Sequence, residues 1–267
     1  MSFRKALTLI FFSLLIVTLM IGPANGDVSV EGKLYRERDV KAGGTYQGSV
    51  TVSNKGDSTF VVKIYQTDYR TYSDGRVVYG DPGKQPRSNA DWIELDQNQL
   101  QIGPGAKRSF HYEVKVPDEK LVGTYWSTIM VEPLKQSLEE KQADGTTLTQ
   151  TVRYCVKIVT NIGDTGKRDL EITDLSLTKQ DGEPVLQIGA KNSGERVLFP
   201  TVWAEVYSTE TGEKVGRFTA GRKHVFPGST VGYRIDLPEL PTAKYETMLV
   251  FDNGDENVWG TQFKLNL

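Results

Sequence analysis

Beyond residue 27 the apolar side chains recur at every second position, in short runs broken by Gly, Pro, Asn and Asp, a period that fits strands and excludes amphipathic helices. Val50 and Val52, Val62 and Ile64, Phe110 through Val116, and Val152, Tyr154, Val156 and Ile158 each alternate with polar or small residues. Leu134 to Gln142 is the one stretch with a helical feel. It is short, charged and followed by Asp144-Gly145, which predicts a loop with one helical turn at most. The fold class expected is all-β.

The alternation is also organised in duplicate. A strand runs into an Asn-x-Gly turn at Asn54-Lys55-Gly56 and again at Asn192-Ser193-Gly194. Downstream of each come Pro-Gly, an alternating strand, a proline, and a small residue two before a tyrosine that opens an apolar strand. The first copy reads Pro104-Gly105, Phe110 to Val116, Pro117, Gly123-Thr124-Tyr125; the second reads Pro227-Gly228, Val231 to Leu237, Pro238, Ala243-Lys244-Tyr245. Each copy has the length of an immunoglobulin-like sandwich, roughly 100 residues in seven strands, and Tyr125 and Tyr245 stand where such folds carry a tyrosine corner. The boundary is expected in the polar segment Asn161 to Lys167, giving sandwiches at 27–162 and 163–267 held at a restricted angle.

Met1 to Gly26 has a different character. Arg4 and Lys5 precede an apolar run from Ala6 to Ile21, followed by Pro23 and Ala24-Asn25-Gly26. This is the layout of a secretory signal, with cleavage expected before Asp27; small residues, and no basic cluster, follow the run, which argues against a retained anchor. No second run of spanning length occurs, so no membrane anchor is expected after cleavage. Losing Arg4 and Lys5 leaves 30 Lys and Arg against 34 Asp and Glu, the opposite of the basic balance a nucleic-acid partner demands. One cysteine excludes an internal disulfide, and two histidines leave little for a metal or acid–base site, so no cofactor and no enzymatic activity are expected. The absence of any Asn-x-Ser/Thr site fits a bacterial source, and the chain is placed in the periplasm or at the cell surface.

The two copies differ in what is added to them. From the Asn-x-Gly turn to Pro-Gly is 50 residues in the first and 35 in the second. The excess lies around Tyr69 to Ala90, where Ser73-Asp74-Gly75-Arg76 predicts a hairpin. The first copy also has a long loop from Pro133 to Gln150. Such additions, more than the shared scaffold, carry function, so the first domain is the expected contact.

Ala90-Asp91-Trp92-Ile93-Glu94, Leu100 to Gly105, Gly123-Thr124-Tyr125-Trp126 and Ile129 to Pro133 together resemble the first domain of periplasmic pilus-assembly chaperones, over about residues 28 to 160. The final strand, Val156-Lys157-Ile158-Val159-Thr160, is similar to the family strand whose lysine anchors a subunit's C-terminal carboxylate. The resemblance implies that role for Lys157, with an arginine partner for which Lys33, Arg36 and Arg38 compete. It also implies a protein-binding chain that pairs its strand edge with a surface or pilus subunit. Two departures are visible. The stretch Thr146 to Thr151 offers one bulky apolar residue where the family has several, and Asn161-Ile162 replaces the family's Arg-Pro. The turns are also similar to tandem immunoglobulin-like ectodomains of bacterial surface proteins, which usually add a C-terminal membrane helix.

The strand from Tyr125 is apolar on both faces, with Tyr125, Ile129 and Val131 on one and Trp126 and Met130 on the other. The second face needs a cover, supplied by the insertion, by the second domain, or by a partner. Cys155 shares its face with Arg153 and Lys157, cations that could activate the thiol, although a small half-buried strand residue is the plainer role. His111 has a solvent pattern. Asp252 to Glu256 offers oxygen ligands for calcium or, more simply, forms an acidic hairpin turn. The expected partner-binding residues are Lys157, Arg153, Trp126 and Met130, and the expected partner is an envelope or surface protein engaged along strand Thr151 to Thr160. A second reading is a carbohydrate- or cell-wall-binding module stacking sugars on Trp92, Trp126, Tyr69, Tyr72 and Tyr79.

Overall fold

The computed structural model describes residues 28–134, 138–141, 147–150 and 152–266. The expected leader, Met1 to Gly26, lies outside them, as do Thr146 and Thr151. Among the described residues no helix is long and apolar enough to cross a membrane.

The first sandwich contains β1 (Val28–Val30), β2 (Tyr35–Val40), β3 (Thr45–Asn54), β4 (Phe60–Thr71), β5 (Val77–Gly80), β6 (Ile93–Leu95), β7 (Gln99–Ile102), β8 (Lys107–Lys115), β9 (Gly123–Pro133), β10 (Leu138–Lys141), β11 (Thr147–Gln150) and β12 (Tyr154–Ile162). One sheet runs β1-β3-β8-β6 and the facing one β2-β12-β9-β4-β5, with β7 also on β4. The alternating residues meet between them: Val50, Val52, Phe110 and Val114 from one sheet, and Val62, Ile64, Ile129, Val131, Val156 and Ile158 from the other, form one buried cluster. The second sandwich has seven strands, β13 (Leu170–Gln180), β14 (Glu183–Asn192), β15 (Thr201–Ser208), β16 (Lys214–Ala220), β17 (Thr230–Asp236), β18 (Lys244–Asp252) and β19 (Val258–Asn266). They form sheets β13-β14-β17 and β16-β15-β18-β19 around a second cluster that includes Leu186, Ile188, Val206, Tyr233 and Phe251. The chain is all-β, two tandem immunoglobulin-like sandwiches, with a single 3-10 turn at Ala90–Trp92 among the described residues.

The paired landmarks of the sequence turn out to be one device used twice. Asn54 is buried, and its Nδ2 donates to the carbonyls of Ser58, Ile102 and Gly103 at 2.7, 3.1 and 3.0 Å, while its Oδ1 accepts Gly56 N–H at 2.9 Å. Asn192 repeats the pattern on Arg196 O at 2.7 Å, Val225 O at 2.8 Å and Gly194 N–H at 2.9 Å. In each copy the amide at the end of one strand fastens its own turn to the segment before Pro-Gly, so the two motifs recur together because they are bonded together. Replacing either Asn54 or Asn192 with alanine removes at least three side-chain hydrogen bonds at a buried position and is expected to cost ~2–3 kcal/mol of stability, read from urea unfolding. A loss below ~1 kcal/mol in both variants would show the bonds to be incidental.

Three expectations need correction. Tyr245 forms a tyrosine corner, its Oη donating to Pro241 O at 2.8 Å. Tyr125 makes no such bond among the described residues; its ring lies 4.7 Å from that of Trp92 with the Arg87 guanidinium 5.5 Å above it. The segment expected to be a loop with a helical turn holds an antiparallel hairpin, β10 with β11, Leu138 facing Gln150 and Lys141 facing Thr147. Pairing satisfies backbone groups that one isolated helical turn would leave bare. The final strand of the first sandwich begins at Tyr154 rather than Thr151 and runs on to Ile162, with Val152 exposed ahead of it.

The expected hairpin at Ser73 to Arg76 is present, closing β4 onto β5 with Gly75 at φ +86°. Asp252 to Glu256 is a hairpin turn whose acids serve the turn itself: Asp252 accepts Gly254 N–H at 2.8 Å and Asp255 accepts Asn257 N–H at 2.8 Å.

Candidate functional site

The chain enters the first sandwich by pairing β1 with β3 in one sheet and then crosses to lay β2 parallel to β12 in the other, Tyr35 opposite Lys157 and Val40 opposite Ile162. Gly32, at φ +80°, lies in the connection. This crossing decides how much of β12 can meet a partner. Lys157 through Ile162 is flanked by β2 and β9, whereas Tyr154, Cys155 and Val156 have β9 alone among the described residues. The expected edge, Thr151 to Thr160, is therefore closed over its second half by the protein's own β2, and Lys157 N–H itself donates to Leu34 O at 2.7 Å.

A cleft of about 1050 Å³ opens around this free end of β12. Its lining includes five cations, Lys33, Arg36, Arg38, Arg153 and Lys157, against one carboxylate, Glu37. Only Arg153 of the five has an ion pair among the described residues, to Glu132 at 2.9 Å. Tyr46, Tyr112 and Tyr154 line the same cleft. A groove lined by one sign of charge with aromatic walls draws in anionic or carboxylate-ended ligands.

The cations do not share a face. Val156 and Ile158 point into the core, so Cys155, Lys157 and Val159 point out of the sandwich. On β2, Tyr35 packs with the outward cluster while Arg36 reaches Ser49 O on β3 at 2.6 Å, which puts Arg36 on the sandwich side. By the same alternation Glu37, not an arginine, shares the Lys157 face. Arg36 Nε is buried without a partner. Of the three residues competing to partner Lys157, Arg36 and Arg38 thus approach the cleft around the sheet edge from its other face.

On its outward face Lys157 Nζ lies 5.2 Å from the Tyr69 ring centroid. Tyr69 is buried with its hydroxyl unpartnered, and burial drives that hydroxyl well above its ordinary value. Tyr79, on the inserted hairpin, is 47% exposed. Burial, then Cys155, pushes its hydroxyl up to about 12. Burial likewise raises the Cys155 thiol, so the neighbouring cations do not activate it.

Trp126 and Met130 have a different fate from the one expected of a partner-binding face. Trp126 is 2% exposed and clusters with Tyr69, Val159 and Phe226, the last from the second sandwich. Its indole N–H donates to Tyr69 O at 3.0 Å, and its ring lies 4.9 Å from that of Phe226. Met130 is also buried. Over Trp126 the cover is Phe226 of the second sandwich together with Gln85 and Arg87 of the insertion, so in this arrangement its side chain is not open to a partner, and the buried Met130 is not an exposed contact either. Of the aromatic set named for sugar stacking, Tyr69 and Trp126 are buried in one cluster, Trp92 packs against the core, Tyr72 is half-buried and Tyr79 is exposed.

The seam between the sandwiches was not legible beforehand. Gly123, at φ +78°, comes so close to Glu195 O that any Cβ would collide with it, and Thr124 N–H donates to that oxygen at 2.8 Å. Arg196, 11% exposed, donates to Gly163 O at 2.5 Å and pairs with Asp39 at 2.9 Å. His224 lies between the rings of Tyr35, at 3.9 Å, and Phe199, at 4.0 Å. Burial, with Lys157 and Arg222 nearby, holds it down to about 4, so it is neutral where it bridges the domains. An isolated His before a turn gives no hint of this.

No protein-family model matches the chain, and no curated protein is detectably similar in sequence. Among solved structures it is similar to the class 5 fimbriae chaperone CfaA, at 12% identity and a TM-score of 0.46 over 90% of this chain and all of the other. It is also similar to a chain of the CsuC–CsuE chaperone–tip subunit complex from Csu pili of Acinetobacter baumannii, at 14% identity, TM-score 0.44, 89% of this chain and 98% of that one. A chain of the Salmonella enterica SafA pilin–SafB chaperone complex is matched at 12% identity, TM-score 0.40, over 92% of this chain and 99% of that one.

Proposed function

We propose that this chain is a non-enzymatic exported protein-binding module, chaperone-like toward surface or pilus subunits. In this reading a leader of residues 1–26 delivers it to the periplasm or cell surface, and the two sandwiches occupy 27–162 and 163–267. The observation that carries the reading is the cation-lined cleft at the stretch of β12, Tyr154 to Val156, that has no second strand neighbour among the described residues. A partner segment adds a short strand against Tyr154 to Val156, its carboxylate held by Lys157 and by Arg36 or Arg38 reaching around the sheet edge. The two departures noted in the sequence favour a partner gripped more by charge and less by a ladder of apolar side chains. Arg153, already paired with Glu132, contributes position more than free charge.

Removing one charged donor from a carboxylate is worth ~1.5–3 kcal/mol, so a Lys157→Ala variant is expected to capture its envelope partner about 10-fold less than wild type in a crosslinked pull-down from its own envelope. Its melting temperature should stay within ~2 °C, since Lys157 is half-buried and unpaired among the described residues. Recovery of the same proteins in the same amounts would rule the carboxylate grip out.

A further inference from the structure

Four side chains stack in a column across the seam between the sandwiches. The Arg222 guanidinium lies 4.0 Å from the Phe199 ring, Phe199 lies 4.0 Å from His224 at an interplanar angle of 11°, and His224 lies 3.9 Å from Tyr35 at 21°. Tyr35 belongs to β2 of the first sandwich, and the other three come from the β14–β15 and β16–β17 loops of the second. Each side holds its rings in place. Leu198 and Val225 exchange backbone hydrogen bonds at 3.0 and 2.8 Å, which fixes the neighbouring Phe199 and His224, and Arg222 Nη2 donates to Phe199 O at 2.5 Å. Tyr35 Oη donates to Glu37 Oε2 at 3.1 Å.

These surroundings suit a neutral imidazole and oppose a charged one. Lys157 of β12, opposite Tyr35 in register, and Arg222 of the ring's own loop both repel a third positive charge. Lys223, next along the chain, is turned to donate to Gly232 O. From β2 come Tyr35, whose hydroxyl burial keeps protonated, and Glu37, already engaged by Tyr35 Oη and by Asn161 Nδ2 at 2.5 Å. Phe226, with its ring 6.3 Å away, adds apolar surface. Among the described residues His224 has neither a hydrogen bond nor an ion pair to stabilise a proton. Burial first, then the two cations, hold its pKa down to about 4.

From this geometry we infer that His224 is an acid-sensitive latch: proton uptake by its ring breaks the stack with Tyr35 and opens the seam between the sandwiches. Once the seam is open the ring reaches water and regains an ordinary value near 6.5, so the open form takes the proton more readily. The latch's contribution is present in full above about pH 6.5 and is lost progressively as pH falls toward about 4. Between pH 7 and pH 5 the open form gains about 20-fold over the closed one from this ring alone. No cleft ligand enters this equilibrium, so it holds whether or not the protein-binding reading does.

Thermal unfolding and amide hydrogen exchange of the full mature chain at pH 7 and pH 5 test it, against His224→Phe, which keeps a ring in the stack but carries no proton. On acidification the wild-type midpoint is expected to fall about 5 °C further than that of His224→Phe. The Thr124 amide, which donates across the seam to Glu195 O at 2.8 Å, should lose about 20-fold in protection in the wild type and keep it in the variant, while amides within β8 keep theirs in both. His224→Gln, neutral and smaller, should give the same flat profile should the phenylalanine variant fold poorly. His111→Gln, which removes the chain's other histidine, should behave as wild type. In an NMR titration the imidazole signal missing from His224→Phe should still be that of a neutral ring at pH 5. An equal fall in both His224 variants, a fall abolished by His111→Gln, a charged His224 ring at pH 5, or a protection loss spread evenly through both sandwiches overturns the latch.

Discussion

An Asp68→Ala variant is expected to lose ~3–5 kcal/mol of stability, or ~10 °C in melting temperature, although Asp68 touches neither the core cluster nor the cleft. Its carboxylate is 4% exposed and collects four donors: Gly83 N–H at 3.3 Å, Lys84 N–H at 2.8 Å, Gln85 N–H at 2.7 Å and Ser88 Oγ–H at 2.5 Å. Asp68 lies where β4 leaves β9 and turns to pair with β5, so a loop with no strand of its own is fixed by one acid. The loop then delivers side chains inward. Gln85 and Arg87 bond the backbone of Trp126, and Asn89, fully buried, takes Ser127 Oγ–H at 2.6 Å and donates to Thr160 Oγ1 at 2.9 Å. Losing the carboxylate strands four donors and loosens everything they position. Asp68→Asn, which keeps the shape but turns amide hydrogens toward the same donors, is expected to lose about half as much. Limited proteolysis should cut first within 81–88 in either variant. A midpoint within ~2 °C of wild type for Asp68→Ala would show that the loop is held by its other contacts.

The repeat and the alternation were legible because both depend on local chemistry. Val50, Phe110, Ile129 and Ile158 are buried as their period required, and Asn54 and Asn192 were visible as a matched pair even before their bonds were known. The candidate site was legible in part. Lys157, Arg36 and Arg38 line one cleft, while the carboxylate-holding role that the resemblance implied for Lys157 stays a proposal. The split of these cations between two faces was hidden, because face is set by the β2/β12 register, a pairing between segments more than a hundred residues apart that no local pattern records. Trp126 shows the same limit from the other side. An apolar second face was correctly read from the strand, but whether a partner or the protein's own second domain covers Trp126 depends on Phe226, an ordinary core residue in sequence terms. Asp68 was also overlooked, since a single acid in an otherwise plain strand gives no sign that four donors from a later loop will converge on it.

Phe226 is where the interdomain seam is expected to be most sensitive. It is 1% exposed, its ring 5.4 Å from Tyr69 in an edge contact and 4.9 Å from Trp126, both in the first sandwich. It belongs to neither sandwich's main cluster. Truncating a buried phenylalanine costs ~3–5 kcal/mol, but here the loss falls on the contact between the folded halves. A Phe226→Ala variant is therefore expected to separate one thermal transition into two, each sandwich keeping its own core, and to shift tryptophan emission to the red as water reaches Trp126. The hydrogen bonds of Thr124 with Glu195 and of Arg196 with Gly163 remain in the variant, and they set how far apart the halves move. Small-angle scattering should then report a larger radius of gyration than wild type. The consequence reaches the cleft, because Val159, which shares the Phe226 cluster, stands two residues along the same face from Lys157. Capture of an envelope partner should weaken in Phe226→Ala even though every cation of the cleft is intact. If the variant instead shows one transition, unchanged emission and full capture, the aromatic cluster is only filling space, and the orientation of the sandwiches rests on the polar contacts at Gly123 and Arg196.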